Sequence, residues 1–453
     1  MLNDHNMKKQ QLLFVLLLLT TGIRAQNNGW KNLFDGKTLK GWHQLNGKAR
    51  YEVVNGTIIG STVKGEPNSF LASDEEYGDF ILEVDLKVGN MNSGIQIRSL
   101  SKPAYNNGRV HGYQVEIDPS DRAWSGGIYD EARRGWMYQT EMNPAAKKAF
   151  KKGDWNRYRI EAIGPVFRTW VNDVPVTYMV DDLTLKGFIA LQVHAVKGEG
   201  GESIQWKNIR IQTGAAMKPR PLDLSTPVAN YMQNTLTPQE QGQGFSLLFN
   251  GKDLSGWRSV GKQTAPEKGW VVEEGVLHIL PGENDGAKYG DLISVNQYKA
   301  FELNFDFKLT EGANSGVKYF VSEAYQNAGL GLEYQILDDA KHPDAKMGTE
   351  GNRTMGSLYD LIPSNKVDPR FQKKMGEWNQ ARIVVYPNKL VQHWLNGFKV
   401  VEYEKDSNIY KVLLAHSKYA KNKDFAKMDQ TPILLQDHNN SVYFRNIKIR
   451  EIK

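Results

Sequence analysis

The sequence predicts an all-β protein built from two tandem copies of one antiparallel β-sandwich. Two observations predict it. The first is duplication: FDGKTLKGW, Phe34 to Trp42, returns as FNGKDLSGW, Phe249 to Trp257, and further landmarks follow in the same order in each half. They are Asn92-Ser93-Gly94 and Asn314-Ser315-Gly316, Gly127 to Asp130 and Ser357 to Asp360, and Gly153 to Asn156 and Gly376 to Asn379. Trp170-Val171-Asn172 and Trp394-Leu395-Asn396, Leu191 to His194 and Leu435 to His438, and Lys207-Asn208-Ile209 and Arg445-Asn446-Ile447 complete the series. A unit this long is a whole domain, since solenoid repeats have periods of roughly 20–50 residues. The second observation is period-two alternation in short runs separated by Gly and Asn turns, with few helical stretches.

Residues 1–25 have the order of a secretory signal: Lys8 and Lys9, an apolar run from Leu12 to Leu19, then the small Ala25 as cleavage point. The run is shorter than the roughly 20 apolar residues that a membrane span requires. The chain has no cysteine, which removes disulfides, thiolate metal sites and thiol nucleophiles. An exported chain without disulfides fits a Gram-negative periplasm or exterior.

The first sandwich is predicted over 30–212. Its strands include Phe80 to Leu86, Ile95 to Arg98, Tyr113 to Asp118, Tyr158 to Ile163, Phe188 to Val193 and Ile204 to Ile211. Asn55-Gly56 suits a tight hairpin, because both residues tolerate positive φ. A short helix is expected from Asn143-Pro144 to Lys151. From 213 to 243 strand character lapses into a linker, and Thr237-Pro238-Gln239-Glu240 reads as a capping box with proline at the first helical position. The second sandwich follows over 244–453, with Phe301 to Phe307 matching Phe80 to Leu86 and Glu274-Gly275 standing where Asn55-Gly56 stood. The net charge of +6 is small for 453 residues and the two signs are interspersed, which argues against a nucleic-acid partner.

Alternate residues of a strand share a face. In the first copy Ile95 and Ile97, then Tyr113, Val115 and Ile117, then Ile189, Leu191 and Val193, form apolar faces. Gln96 and Arg98, then Gln114, Glu116 and Asp118, then Gln192 and His194, form the opposite faces. If these strands share a sheet, Arg98, Glu116, Asp118 and His194 gather on its outer side beside Trp124, Tyr129, Trp136 and Trp170. The same count in the second copy gives Lys318, Glu333, Gln335 and His438. Antiparallel sheets are ordinarily polar on their solvent side. A grouping of Arg, Glu, Asp and His among aromatics fits a carbohydrate site better, because rings stack on sugar C–H surfaces while charged groups bond hydroxyls. Glu116 aligns with Gln335, and Arg98 falls near Lys318 or Tyr319, so the copies differ in chemistry. No cofactor motif is present. Glu116, Asp118 and His194, or Asp338, Asp339, His342 and Asp344, could supply oxygen-rich divalent metal sites, although neither spacing is diagnostic.

GYQVEID with WSGGIYDEARRGW in the first copy resembles the 3-keto-disaccharide hydrolase domain family. So do GLEYQILDD, HPDAK, GNRT and GSLYDLIP in the second, together with the opening FDGKTLKGW and closing KNIRI motifs. The resemblance covers about 30–212 and 244–452. It implies secreted or periplasmic proteins with a concanavalin A-like jelly-roll sandwich, acting on an oligosaccharide or glycoside oxidised to a ketone at carbon 3. An upstream enzyme that oxidises the sugar is implied with it. Such a ketone acidifies the hydrogen on carbon 2; a base removes it, the enolate expels the oxygen on carbon 1, and water adds back.

On that chemistry Glu116 or His194 is the base, Arg98 holds the enolate oxygen, and Tyr129 or Asp130 is the acid or a positioning group. Gln96, Gln114, Trp124, Arg133, Trp136 and Gln192 are expected to bind substrate. The second copy would use Glu333, Gln335 and His438 for chemistry, with Lys318, Arg353, Tyr359 and Gln436 binding. Two alternatives stay open. Glu116 and Asp118, about 7 Å apart along one strand, could act as an ordinary glycosidase pair. Alternatively, the chain is a non-catalytic, lectin-like tandem binding module, which needs aromatics and amides but no converging Arg, Glu and His.

Overall fold

Two stacked pairs of sheets hold nearly all the regular structure in the computed structural model, which describes residues 29–282, 289–325, 328–366 and 371–453. The expected signal segment, 1–25, lies outside them. The first half stacks a nine-stranded on a seven-stranded sheet, and the second an eight-stranded on a five-stranded one. These are two tandem concanavalin A-like sandwiches, as duplication and alternation predict. Among the described residues no helix is long and apolar enough to cross a membrane.

The apolar faces read from the sequence do meet in cores. Ile95, Ile97, Tyr113, Val115, Ile117, Ile189, Leu191 and Val193 pack with Tyr158, Phe167 and Trp206. Val317, Tyr319, Tyr334, Ile336 and Leu435 pack with Phe301, Phe305 and Phe307 in the second half. Burying each large side chain contributes roughly 1.5–3 kcal/mol. A slip of one residue would turn the whole set outward, so the cores fix strand register.

Several repeated landmarks prove to be turn and bulge anchors. Asn172 and Asn396 both sit at φ 50°. Each accepts a backbone N–H, from Arg157 (2.9 Å) or Gln380 (2.8 Å), and donates to Asn156 or Asn379 at 2.8 Å. Trp42 and Trp257 donate their indole N–H to the carbonyls of Leu33 and Leu248, both at 2.8 Å. Asn208 and Asn446, at φ 52° and 55°, donate to Asp85 (2.6 Å) and Asp306 (2.7 Å) across register shifts. The hairpins at Asn55-Gly56 and Glu274-Gly275 have both central residues at positive φ.

The connecting segment departs from expectation. Val228–Asn230 adds a parallel edge strand to Val174–Val180 of the first sandwich. Three residues are too few for alternation to betray a strand. The capping box forms as read: Glu240 N–H donates to Thr237 Oγ1 (3.0 Å) and Thr237 N–H to Glu240 Oε2 (2.8 Å), opening the helix Pro238–Gly242. The helix expected near Asn143 is a 3₁₀ turn, Pro144–Lys148.

Arg98 corrects a second expectation. The strand Ser93–Leu100 shifts register between Ile97 and Leu100, and Arg98 takes φ 46° there. A left-handed residue breaks the alternation, so the side chain turns away from the polar face. It is 0% exposed, donating to Gly78 O (2.8 Å), Gly164 O (2.6 Å) and Asp79 (3.0 Å), with its guanidinium 5.1 Å from the Phe167 ring. Phe320 repeats the kink at φ 52°, so Phe320 is the counterpart of Arg98. Lys318 pairs with Glu333 as Gln96 pairs with Gln114, making Lys318 the counterpart of Gln96. Arg98→Met removes hydrogen bonds to two half-buried carbonyls and the ion pair with Asp79, and is expected to lower unfolding free energy by about 2–4 kcal/mol without altering the kinetics of the folded fraction. Denaturant titration beside an activity assay reads both; a large kinetic change at unchanged stability would return Arg98 to the site.

Candidate functional site

The polar face of the seven-stranded sheet is roofed by loops rather than open to solvent. Gln96, Gln114, Glu116 and Gln192 are each 3% exposed or less. They lie on three neighbouring strands, Ser93–Leu100, His111–Ile117 and Gly187–Val193. The Asn-Ser-Gly landmark explains how the face is assembled. Ser93 Oγ donates to Gln192 O (2.6 Å), tying two strands together, and Asn92 Nδ2 donates to Glu116 Oε1 (2.6 Å). A Cβ on Gly94 would overlap the Gln114 amide, so glycine makes room for that side chain. Ser315 and Gly316 repeat both roles, the serine donating to Gln436 O (2.7 Å) and the glycine leaving room for Glu333.

Above this face lies a cavity of ≈750 Å³ lined by Asn92, Gln114, Glu116, Asp118, Arg122, Tyr129, Trp136, Gln192 and His194 among others. Lys373 and Glu377 of the second sandwich also reach it. Glu116 is the central group. Burial pushes its carboxyl up to about 7, against the hydrogen bonds from Asn92 and Gln114 (3.0 Å) and the pull of Arg122. Neither amide atom of Gln192 has a hydrogen-bond partner within the protein, although both are buried. Polar atoms buried without protein partners are costly, so these two are left for water or a polar ligand to satisfy. His194 lies just past its strand, and its Nδ1 is 2.7 Å from Ala195 O. That contact assigns the proton to Nδ1 and leaves Nε2 for the cavity. Tyr129 is raised by burial, then by Glu131 and Glu116.

Other expected residues are elsewhere engaged. Asp118 borders the cavity, yet Ser120, Arg122 (2.7 Å) and Trp124 N–H occupy both its oxygens. Burial works against its charge, but those hydrogen bonds outweigh it and hold Asp118 below the usual carboxylate range. Asp130 is fully buried between Arg133 (2.8 Å) and Arg134 (2.6 Å), which rules it out as the acid. Arg133 is spent on Asp130 and Thr184. Trp124 is 2% exposed beneath Arg122 and against Trp136, and Trp170 lies on the other sheet against Arg168 and Arg220. Gln96 sits behind, donating to Gln114 Oε1 at 2.6 Å.

Sequence reading missed Arg122 and Asn92. Arg122 is the cation beside Glu116 (3.4 Å), held over Trp124 (4.3 Å) and Trp136 (5.1 Å). Its signal was its place four residues after Asp118, in a loop where no periodicity operates.

The second sandwich forms a matching cavity of ≈350 Å³ with Asn314, Lys318, Glu333, Gln335, Tyr359, Lys418, Gln436 and His438 on its walls. The amide nitrogens of Gln335 and Gln436 face Glu333 Oε1 at 3.0 Å, and Gln436 also meets His438 Nε2 at 3.0 Å and Lys318 Nζ at 3.0 Å. Burial raises Glu333, against the pull of Lys318 and Lys418. Arg353 stands behind, bridging Asp344 (2.8 Å) and Asp360 (2.7 Å), while Tyr359 donates to Asp344 at 2.7 Å. Among the described residues no three His, Asp or Glu side chains converge as metal ligands. The expected loop set is otherwise used: Asp338 accepts from Ala340 N–H, Asp339 from Met355 N–H, and His342 from Asp344 N–H.

By its family match and its named relative, the chain is a β-sandwich enzyme of the glycoside hydrolase and lyase class. The chain belongs to the 3-keto-alpha-glucoside-1,2-lyase-like domain family, whose model matches residues 29–212 and 244–450. A Bacteroides thetaiotaomicron protein named 3-keto-disaccharide hydrolase is 36% identical over 231 residues, 46% of this chain and 78% of that protein. Two Parabacteroides distasonis crystal structures provisionally named glycosyl hydrolases are also similar. One is 30% identical with a TM-score of 0.43 over 49% of this chain and 100% of that one. The other is 27% identical with a TM-score of 0.35 over 46% and 99%.

A carboxyl raised from 4.5 to about 7 by folding binds its proton more tightly in the native state. Its contribution to stability is therefore full below pH 4.5 and is lost as pH rises through 7. Glu116→Gln cannot titrate, so wild type should lose on the order of 3 kcal/mol relative to it across that window. Urea unfolding of both proteins between pH 4.5 and 8.5 measures the gap; a gap independent of pH would refute the burial of a titrating carboxyl.

Proposed function

We propose that the chain cleaves glycosides bearing a ketone at carbon 3, and that the first sandwich does so by 1,2-elimination. The observation that carries this reading is Glu116, a buried carboxyl balanced near neutral pH beside an arginine in a sugar-sized cavity. A base works best when its pKa lies near the operating pH. Glu116 takes the proton from carbon 2, made acidic by the neighbouring ketone. Arg122 replaces Arg98 as the cation that holds the enolate oxygen, an interaction that strengthens as charge develops. Protonated His194, its Nδ1–H held by Ala195 O, gives the Nε2 proton to the departing oxygen of carbon 1. Gln114 and Gln192 bond sugar hydroxyls, and Trp136 and Tyr129 offer ring faces. Asp118, locked by Arg122 and Ser120, supports an ordinary two-carboxylate mechanism less well.

The ketone calls for a preceding enzyme that oxidises carbon 3. The Lys8-Lys9, Leu12 to Leu19 and Ala25 pattern supports export to the periplasm or beyond. A chromogenic 3-keto-glucoside is expected to release its chromophore, and Glu116→Gln to lower kcat/KM by roughly 10²–10⁴. Equal release from the unoxidised glucoside, or full activity in the variant, would defeat the reading.

A further inference from the structure

One wall of the first cavity belongs to the other half of the chain. The seven-stranded sheet ends at Gly135–Tyr138, and there the second sandwich docks. Phe398 packs on Trp124 with ring centres 5.7 Å apart, and Phe371 stacks on Phe398 at 4.1 Å. Gly397 comes so close that a Cβ there would lie 2.4 Å from Gln139 Oε1. This contact carries the segment 371–377 to the cavity, where Gln372, Lys373, Lys374 and Glu377 join its walls. Lys373 Nζ donates to Arg134 O at 3.2 Å, at the start of the edge strand.

Two repeated asparagines hold the segment. Asn396 Nδ2 donates to Phe371 O (2.8 Å), and Asn379 Oδ1 accepts from Lys373 N–H (3.0 Å). Asn172 and Asn156 hold Ala149 and Lys151 in the same way, at 2.8 and 2.7 Å, so Lys151 is the counterpart of Lys373. Lys151 is exposed, whereas Lys373 is half-buried. Burial lowers its ammonium below the usual lysine range, against the pull of Glu377. An ammonium has three N–H donors. Among the described residues only Arg134 O takes one, and two remain for the cavity. The second cavity has a lysine of the same kind. Lys418, 4.1 Å from the Tyr359 ring, comes from the segment 405–433, where the first sandwich has only 181–186. Each cavity thus takes a lysine from outside the strands that the two copies share.

Strand order says which part of a sugar this lysine meets. From the edge strand the sheet runs through Ile128–Glu131 to His111–Ile117, which carries Glu116. It continues through Ser93–Leu100 to Gly187–Val193, which leads to His194. At roughly 4.8 Å per strand, Glu116 is centred between ends about 19 Å apart. In the elimination reading carbon 1 faces His194 and carbon 2 faces Glu116. Arg122, 5.1 Å from the Trp136 ring on the edge strand, meets the oxygen on carbon 3. Carbon 4, across the ring from carbon 1, then faces Lys373. Resting on that reading, we propose that Lys373 of the second sandwich binds the carbon 4 hydroxyl and so determines which sugar the first cavity accepts. A sugar without that hydroxyl leaves a half-buried ammonium short of a partner. The specific unit is the tandem chain, not the first sandwich alone.

Lys373→Met keeps the packed stem and removes the charge. In the full-length protein it should raise KM for a chromogenic 3-keto-glucoside by about 10-fold or more, as loss of a charged hydrogen bond does. The kcat should hold, because the contact is made equally in ground and transition states. On the 4-deoxy substrate, variant and wild type should share one KM. Lys151→Met, the same change on the counterpart loop, should alter neither constant. An unchanged KM in Lys373→Met, or a rise of equal size on both substrates, would overturn the proposal, as would a matching rise in Lys151→Met. Binding separates the lysine from the chemistry. Calorimetric titration of both sugars into Glu116→Gln, with and without Lys373→Met, should show affinity lost for the 4-hydroxy sugar alone. That result upholds the lysine even if wild type cleaves nothing, which would reject elimination only. Equal affinities would overturn the lysine's role, while cleavage by wild type would leave elimination standing.

Discussion

A carboxyl group buried under side-chain amides is the demand that the rest of each sandwich meets. Removing such a group from water is costly unless hydrogen bonds replace those it loses. Asn92 and Gln114 supply them for Glu116, and Gln335 and Gln436 for Glu333. Gln114 and Gln335 share the carboxyl's own strand, whereas Asn92 and Gln436 adjoin other strands of the sheet, so each pair converges only while the strands keep register. The apolar face beneath fixes the register, and the serine hydroxyl clasping the neighbouring strand, Ser93 or Ser315, fastens it at the site itself. Packing and chemistry are therefore two faces of one sheet.

Much of this was legible in the chain. Alternation marked the inward faces of the three site strands because burial on one side leaves a period of two, and the same count put Glu116, Gln114 and Gln192 together. It failed at Arg98, where a left-handed residue inserts a half-step that no propensity announces. It failed again at Trp124, which comes from a loop and points where Arg122 holds it, and at Asp130, in the short strand Ile128–Glu131, where the following turn brings Arg133 and Arg134 onto its carboxylate. Asn92 was visible as part of a repeated triplet, but repetition alone does not say whether a residue serves the turn or the ligand.

The duplicated chain separates these two kinds of repetition. Asn172 and Asn396, or Trp42 and Trp257, perform the same task at nearly the same distances in both halves. At the cavity floor the copies diverge: carboxyl and amide trade places, and an ammonium stands where an amide did. What holds the loops and bulges has stayed constant while what meets the ligand has changed, which is how one fold comes to host different chemistries.

The short strand Val228–Asn230 has a consequence for dissecting the molecule. It covers the outermost hydrogen-bonding groups of Val174–Val180, and a bare sheet margin invites pairing with another chain. Just beyond it, Asn234 exchanges hydrogen bonds with Asn446 and Glu240 meets Lys448, stitching this flap to the far sandwich. A chain cut at residue 212 would thus strip the first half of its selvage and leave the second half carrying cloth that belongs to its neighbour.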